Sequence, residues 1–431
     1  MQKSGSHMDI ASTPLPCPPK IFRFGSPLPK GDGLGVRAGG RVGWEGTQAF
    51  LQHLRTPCDA DFFVNSVVDA SRTHLQPSTC NLQPVTFNLQ PYTRMETPTH
   101  IFTGKLQRDY YITADDKVVL DVLGGNLPYA AAGFKLWEAA PPPGLIARVG
   151  EDYPYVWLTE LEQRGFDTRG INILPEAVDV RNFYVYTDKA TRVTGDPVPH
   201  FARLGEPFPK ALLGYRDTSN ALDSKTGLTP VSLRQGDIPD VYMEATAAHL
   251  CPVDYLTHSL LPATFRQAGF TTVTLDPAPG YMNPTFFNEV PAILTGLTAF
   301  MPAEEELRSL FQGRSSNLWE MAEALGAYGC EFIVVKRGER GQLLYDAAGK
   351  KRWEIPAYPA RLVNPTGVGD AFCGGFLAGY RQTYDPVEAV LYGNVSAAVV
   401  TEGYGPFFAL DVLPGLPQAR LESLRQSVRK L

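Results

Sequence analysis

The sequence predicts an α/β protein with a mostly parallel central sheet. From residue 99 onward, short apolar segments typical of buried strands alternate with longer segments whose apolar residues recur at helical spacing. With 431 residues, 44% of them hydrophobic and 19% charged, the chain can bury a large core. Near the C-terminus a glycine-rich turn leads directly into a helix, which is typical of an anion-binding site.

Each element follows from its local pattern. Short apolar runs, some of them alternating with polar residues, predict strands at 99–106, 117–123, 145–149, 182–188, 255–258, 272–276, 332–336, 343–345 and 353–355. Helical periodicity predicts helices at 127–139, 155–164, 260–267, 304–311, 318–328, 371–381 and 387–400. The proline-rich stretch 197–209 is predicted to be a loop.

Charge and composition restrict the class of protein. Residues 1–94 hold nine Lys or Arg against six Asp or Glu, whereas residues 95–431 hold 30 against 39, and this acidic balance argues against a nucleic-acid partner. The apolar runs are too short to span a membrane, and the first ten residues contain no hydrophobic signal region, so we expect a cytoplasmic protein. The six cysteines lie at no metal-binding spacing and are expected to be free thiols.

Residues 1–94 differ from the main domain at 95–431. Leu-Gln-Pro recurs every seven residues in this region, but the proline in each unit excludes a coiled coil, so we expect a disordered extension. The run Gly5-Ser6-His7-Met8 resembles a cloning scar. Alternatively, the repeats are translated upstream DNA, and Met95 is the natural start.

The glycine-rich turn carries an acid in the first turn of the helix. Gly367 and Gly369 have no Cβ, so the turn can expose backbone N–H groups, and the helix adds its positive dipole end. Asp370 would repel a phosphate there, unless it takes a proton from a hydroxyl that attacks that phosphate. The alternative is an ordinary loop-to-helix junction in which Asp370 stabilises the helix dipole.

The run from Gly367 to Phe376 resembles the C-terminal signature of the ribokinase-like (PfkB) carbohydrate kinase family, and the likeness extends weakly over 99–406. The resemblance implies a ribokinase-like three-layer α/β/α sandwich with a small β-sheet lid, formed by segments near 110–123 and 178–195. It also implies that Asp370 is the catalytic base. The N–H groups of Gly367, Val368 and Gly369 would then hold the developing negative charge.

Two weaker motifs resemble the acceptor site of this family. Residues 103–109 resemble its first-strand motif, which makes Asp109 a candidate to bind acceptor hydroxyls, although an acid after a strand is also an ordinary turn residue. Gly124, Gly125 and Asn126 resemble a second motif, in which the glycines allow the lid to hinge and the amide holds the acceptor. The second Asn of that motif is Tyr129 here.

The nucleotide side of the resemblance is less complete. Lys336, Gly338 and Gly341 resemble the nucleotide loop, for which a plain β-turn is the alternative. Asn394 would line the adenine pocket. The family's magnesium motif, N-x-x-E, would fall on 301–304 and leave Glu304 as an indirect ligand of Mg²⁺.

The resemblance implies transfer of a phosphoryl group from ATP, with Mg²⁺, to a hydroxyl group of a sugar or nucleoside, and it allows a homodimer through the lid. Asn364 replaces the acid that helps the family bind a monovalent cation, so we expect weak cation activation. The rival hypothesis is a catalytically weak or inactive ligand-binding protein on the same fold, supported by Asn364, Tyr129 and Met301. The intact Gly-x-Gly-Asp argues against it. The sequence does not identify the acceptor.

Overall fold

The computed structural model describes residues 96–138, 141–188, 191–218 and 221–430. The expectations for residues 1–94, including a natural start at Met95, lie outside these residues. No helix in the described part of the chain is both long and apolar enough to cross a membrane.

The described residues form fourteen strands and ten helices. The strands are β1 (His100–Thr103), β2 (Gln107–Ile112), β3 (Val118–Gly124), β4 (Gly144–Gly150), β5 (Asp167–Leu174), β6 (Arg181–Tyr186), β7 (Arg192–Thr194), β8 (Ala247–Leu250), β9 (Thr272–Leu275), β10 (Ala299–Phe300), β11 (Phe332–Lys336), β12 (Gln342–Asp346), β13 (Lys351–Ile355) and β14 (Arg429–Lys430). The helices are α1 (Asn126–Lys135), α2 (Tyr155–Gln163), α3 (Val198–Leu204), α4 (Tyr255–Gln267), α5 (Val290–Leu294), α6 (Glu304–Leu310), α7 (Leu318–Gly326), α8 (Val368–Thr383), α9 (Pro386–Val400) and α10 (Leu416–Arg425).

The main sheet has ten strands in the order β14-β13-β12-β11-β10-β9-β8-β1-β4-β5. The strands from β5 to β11 in this order run parallel, and β12, β13 and β14 are added antiparallel at one side. Asp276 directly follows β9, and Lys336 ends β11, so both lie at the carboxyl edge of the parallel strands. Ligands of open α/β sheets bind at this edge.

The parallel strands are apolar along their length because both faces of the sheet are covered. In β11, Ile333 and Val335 pack into the core on one side, and Val334 packs into the core on the other. Helices α4 to α7 cover the first side, and α1, α8 and α9 cover the second. The result is the three-layer α/β/α sandwich that the sequence predicts.

A second sheet has the strand order β3-β2-β6-β7 and is named the lid sheet below. The face that carries Tyr111, Tyr184 and Tyr186 forms a small aromatic cluster. The opposite face is apolar and is covered by side chains from α3 and from the short 3-10 helix Lys210–Leu212. A homodimer through that apolar face would require this cover to move.

Two local expectations were wrong. The predicted strand at 255–258 is the first turn of α4, because Asp254 caps that helix by accepting a hydrogen bond from Thr257 N at 3.0 Å. The strand in this part of the chain is β8, which lies just before that segment in the sequence. The predicted loop at 197–209 contains α3, which has Pro197 at its N-cap and Pro199 in its first turn, where a proline is tolerated.

Candidate active site

The turn before α8 can be formed only with a glycine at its centre. Gly367 has a φ of 72°, in the left-handed region, and a Cβ there would lie 2.1 Å from the ring of Tyr129. The first bond of the helix runs from Ala371 N to Gly367 O at 2.9 Å. The N–H groups of the first turn have no acceptor within the helix, so they can bind an anion.

Asp370 is half-buried beside this turn, and its environment favours a proton near neutral pH. Burial, together with the charge of Asp276, raises the pKa of Asp370 to about 7, against the opposing charges of Lys336 and Arg192. A carboxyl group with this pKa is partly ionised at neutral pH. It can therefore accept a proton from a hydroxyl group.

A buried ion pair lies next to the glycine turn. Lys336 Nζ donates to Asp276 Oδ2, and it lies 3.5 Å from the position that a Cβ on Gly369 would occupy. Burial opposes the charge of Lys336, but Asp276, Cys373 and Glu306 together raise the pKa of Lys336 above its ordinary value. The ammonium group therefore stays charged beside the anion-binding turn.

The start of α6 carries two acids with different surroundings, Glu304 and Glu306. Glu304 is buried and accepts hydrogen bonds from Arg308 Nε, at 2.7 Å, and from Arg340, so its charge is already neutralised. Glu306 accepts from the backbone N–H of Ala303 at 2.8 Å. Burial and the charge of Asp276 raise the pKa of Glu306 to about 8, which places Glu306 within electrostatic reach of the site.

Asp109 is held at the edge between the lid sheet and the main sheet. Asn182 Nδ2 donates to Asp109 Oδ1 and the hydroxyl of Tyr184 donates to Oδ2, both at 3.1 Å. Burial raises the pKa of Asp109 to about 6, against these two hydrogen bonds and the charge of Arg192. A Cβ on Gly124 would lie 2.1 Å from the carboxyl carbon, so that glycine leaves room for the acid.

A cavity of about 350 Å³ brings the two acids together. Its lining includes Asp109, Gly125, Asn126, Arg192, Gly367 and Asp370. The structure therefore gathers the predicted base, part of the glycine turn and most of the predicted acceptor residues around one space. A space of this size is within the range of small-molecule sites.

Asn126 supports the wall of this cavity. Its Oδ1 accepts from Lys105 N at 2.8 Å, and its Nδ2 donates to Pro252 O at 2.6 Å. The amide thus joins the segments that follow β1 and β8. Direct contact between this amide and the acceptor stays a prediction.

The residues predicted for nucleotide binding lie outside the lining of this cavity. Gly341 is close to β13, because a Cβ there would lie 2.0 Å from Ile355 O. Asn394 is buried and donates to Gln342 Oε1 and Pro356 O, both at 2.8 Å. Asn394 therefore fixes the segment after β13. Gly338 has no neighbouring atom within 4 Å of the position that a Cβ would occupy.

The lid sheet is hydrogen-bonded to the glycine turn, a link that the sequence analysis did not identify. The hydroxyl of Tyr186 lies 2.6 Å from Thr366 Oγ1, which donates to Asn364 Oδ1 at 2.8 Å. Asn364 also accepts from Thr366 N at 3.0 Å. At the position where the family carries an acid, this chain therefore holds the turn through neutral hydrogen bonds.

Comparison with known proteins finds similarity to small-molecule kinases. The model of the pfkB family carbohydrate kinase matches residues 241–411. A cytidine kinase from Thermococcus kodakarensis is 27% identical over 307 residues, which cover 68% of this chain and 95% of that protein. A 5-dehydro-2-deoxygluconokinase from Geobacillus kaustophilus is 25% identical over 290 residues, or 64% of this chain and 77% of that protein.

Solved structures confirm the fold. A ribokinase II candidate from E. coli, in complex with ATP and Mg²⁺, superposes with a TM-score of 0.56 at 17% identity, covering 76% of this chain and 99% of that protein. The predicted ribokinase-like sandwich with a small lid sheet is therefore correct.

Proposed function

We propose that this chain is a member of the pfkB family of carbohydrate kinases, whose model matches residues 241–411, and that it transfers the γ-phosphoryl group of ATP to a hydroxyl group of a sugar or nucleoside. The observation that carries the proposal is the position of Asp370. This acid, whose pKa is about 7, lies at the start of α8 in the same cavity as Asp109. Both kinds of acceptor occur among the named relatives.

Asp109 is suited to hold the acceptor. Each of its carboxylate oxygens accepts one hydrogen bond, from Asn182 or Tyr184, and has a further lone pair available. Two neighbouring hydroxyls of a sugar ring can donate to these lone pairs. Because Asn182 and Tyr184 fix its position, the acid can orient the acceptor toward Asp370.

Asp370 then acts as the general base. The acceptor oxygen forms a bond to the γ-phosphorus, the bond from that phosphorus to the bridging oxygen of ADP breaks, and the hydroxyl proton passes to Asp370. The backbone N–H groups from Gly367 to Gly369 face the developing negative charge. Lys336, which stays charged beside this turn, adds a further positive group on the side of the main sheet.

The carboxylates around the site fit an ATP-bound magnesium ion. Among the described residues, no group of three or more His, Cys, Asp or Glu could hold a metal directly. Asp276, Glu306 and Asp370 nevertheless place three carboxyl groups near Lys336, and burial, together with the charge of Asp276, raises the pKa values of Glu306 and Asp370. Mg²⁺ would supply charge neutralisation of the phosphates, held by ATP and by water molecules that Glu306 and Asp276 can orient.

The nucleotide base would lie near the segment that follows β13. Asn394 fixes this segment by accepting from Tyr358 N at 2.9 Å. Its role in the adenine pocket is therefore one of positioning, and Gly338 offers open backbone for the ribose and phosphates.

A phosphorylation screen tests the proposal. The purified chain is incubated with ATP, Mg²⁺ and single acceptors that include cytidine, inosine, ribose and 5-dehydro-2-deoxygluconate, and ADP formation is measured. We expect acceptor-dependent ADP formation by the wild type, and its loss in Asp370→Asn. If the wild type binds one of these molecules tightly but phosphorylates none of them, it is a ligand-binding protein on a kinase fold.

A further inference from the structure

An arginine on the lid sheet projects toward the reacting groups. Arg192 begins β7 and pairs with Tyr186 on β6. Directly opposite residues of an antiparallel pair project from the same face of the sheet. Since Tyr186 contacts Thr366, Arg192 lies on the face that covers the glycine turn.

The guanidinium group is positioned but not bound. It lies over the ring of Tyr184, 5.1 Å from the ring centroid, and Tyr184 is itself fixed by its hydrogen bond to Asp109. Among the described residues it forms no ion pair and no hydrogen bond through its side chain. The donors of the guanidinium are therefore available to a ligand.

The charge of Arg192 acts on both acids of the site, Asp109 and Asp370. Arg192 lines the same cavity as Asp109 and Asp370, and it lowers the pKa of each of them. The guanidinium is thus within electrostatic range of both carboxylates, although it forms an ion pair with neither. A planar guanidinium in such a position is suited to bind an anion through two parallel hydrogen bonds.

The other cations of the cavity are less suited to this task. Arg181 donates to Asp179 and to the backbone oxygens of Ala211 and Leu213, so its donors are in use. Burial lowers the pKa of Lys105, against the charges of Asp223 and Asp254. Arg192 is therefore the guanidinium that can respond to a new negative charge.

We propose that Arg192 binds the γ-phosphoryl group during its transfer, from the lid sheet, while Lys336 acts from the main sheet. This inference rests on the proposed kinase function. The group in transfer must lie between the acceptor hydroxyl at Asp370 and the start of α8, and Arg192 faces that space. Its positive charge stabilises the phosphoryl oxygens as their bond to ADP breaks.

The test compares Arg192→Gln and Arg192→Lys with a matched control. The control is Arg203→Gln, an exposed arginine on α3 that pairs with Asp116 outside the cavity. Two readouts are used: steady-state kinetics with the acceptor found by the screen, and calorimetric affinity for ADP with Mg²⁺, with and without aluminium fluoride, which imitates the phosphoryl group in transfer. Thermal unfolding confirms that each variant is folded.

We expect Arg192→Gln to lower kcat by ~10²-fold to 10³-fold, the effect of removing one transition-state donor, with little change in the KM for the acceptor. Aluminium fluoride should strengthen ADP binding in the wild type and much less in Arg192→Gln, while binding of ADP alone is unchanged. Arg192→Lys should be intermediate, and the control should match the wild type.

Two results would overturn the assignment. One is an unchanged kcat and an unchanged response to aluminium fluoride in Arg192→Gln. The other is a higher KM for the acceptor at unchanged kcat, which would mean that Arg192 binds the acceptor. The binding readout needs no turnover, so it tests Arg192 even if the screen finds no acceptor and the kinase proposal fails.

Discussion

The ionisation of Asp370 should set the pH dependence of phosphoryl transfer. Its pKa is about 7 because burial and Asp276 raise it more than Lys336 and Arg192 lower it. Only the ionised form can accept the hydroxyl proton, so the rate should rise with pH. A single group with this pKa is about 10% ionised one pH unit below it and about 90% ionised one unit above, which predicts a rise in kcat/KM of about tenfold between pH 6 and pH 8.

Asp370→Asn keeps the size of the side chain but removes the proton acceptor. We expect kcat to fall by at least ~10²-fold, and the rise with pH to disappear. ATP affinity, measured by calorimetry, should be unchanged or slightly tighter because a charge that faces the phosphates is gone. Asp411→Asn, an exposed acid that pairs with Arg164 away from the cavity, serves as the control.

The same substitution should stabilise the fold. The folded pKa of Asp370 lies above the ordinary value of 3.8, so ionisation favours the unfolded chain, and stability is lost as the pH rises from about 4 to about 7. Asp370→Asn removes this loss and should raise Tm at pH 8 but not at pH 4. Full turnover by Asp370→Asn, or a wild-type rate that is flat between pH 6 and pH 8, would refute the role of Asp370 as base.

Four further predictions follow from the site. Gly369→Ala should weaken ATP binding in calorimetry. It should leave Tm unchanged, because a Cβ at Gly369 meets no atom closer than 3.5 Å. Gly367→Ala should instead lower Tm, because the backbone of Gly367 is left-handed. Glu306→Gln should raise the Mg²⁺ concentration for half-maximal rate by ~10-fold or more, as loss of an outer-shell partner does, and the exposed Glu305→Gln should not. Replacing Na⁺ with K⁺ should change the rate little, since Asn364 holds the turn through neutral hydrogen bonds; strong activation by K⁺ would contradict this. Light scattering should show a monomer, because the apolar face of the lid sheet is already covered. A stable dimer in solution would contradict this prediction.

The glycine turn could be predicted from the sequence because its chemistry is local. The left-handed backbone, the exposed N–H groups and the acid in the first helical turn all depend on residues within a few positions of Gly367. The buried parallel strands were predictable for a similar reason, since β11 is a continuous apolar run that can be buried on both faces.

Short apolar runs were less informative. The segment 255–258 was predicted as a strand, but a run of this length suits a strand and a helix equally well. The side chain of Asp254 decides the outcome by capping α4. The true strand, β8, is only four residues long and contains alanines, which have low strand propensity, so its pattern is weak.

The partners of Asp109 could not be found from local sequence. Asn182 is 73 positions away and reaches Asp109 because β2 and β6 pair in parallel with these two residues in register. Asn182, Tyr184 and Tyr186 alternate along β6 and therefore share a face of the lid sheet. What the sequence did not show is that this face meets the glycine turn, because that depends on how the two sheets are placed.

The two acids Glu304 and Glu306 show how the position of a residue on a helix determines its surroundings. Residues two positions apart in a helix point about 200° apart, so Glu304 and Glu306 lie on nearly opposite sides of α6. Glu304 accordingly forms ion pairs with Arg308 and Arg340, whereas the charge of Asp276 raises the pKa of Glu306 further, after burial. Glu304 was predicted from its place in the N-x-x-E motif at 301–304, and its indirect role at Mg²⁺ stays a prediction.

Burial and the charge of Asp276 raise the pKa of Asp370. With Glu306 on the inner side of α6, the carboxylates of Asp276, Glu306 and Asp370 share a region in which Lys336 is the main buried cation. The phosphates of the nucleotide carry more negative charge than one Mg²⁺ neutralises, so nucleotide binding would add to this repulsion and raise the pKa of Asp370. The midpoint of the pH profile for kcat, which reports the bound enzyme, should therefore lie above that for kcat/KM, which reports the free enzyme. Coincident midpoints would mean that the charge of the bound nucleotide does not act on the base.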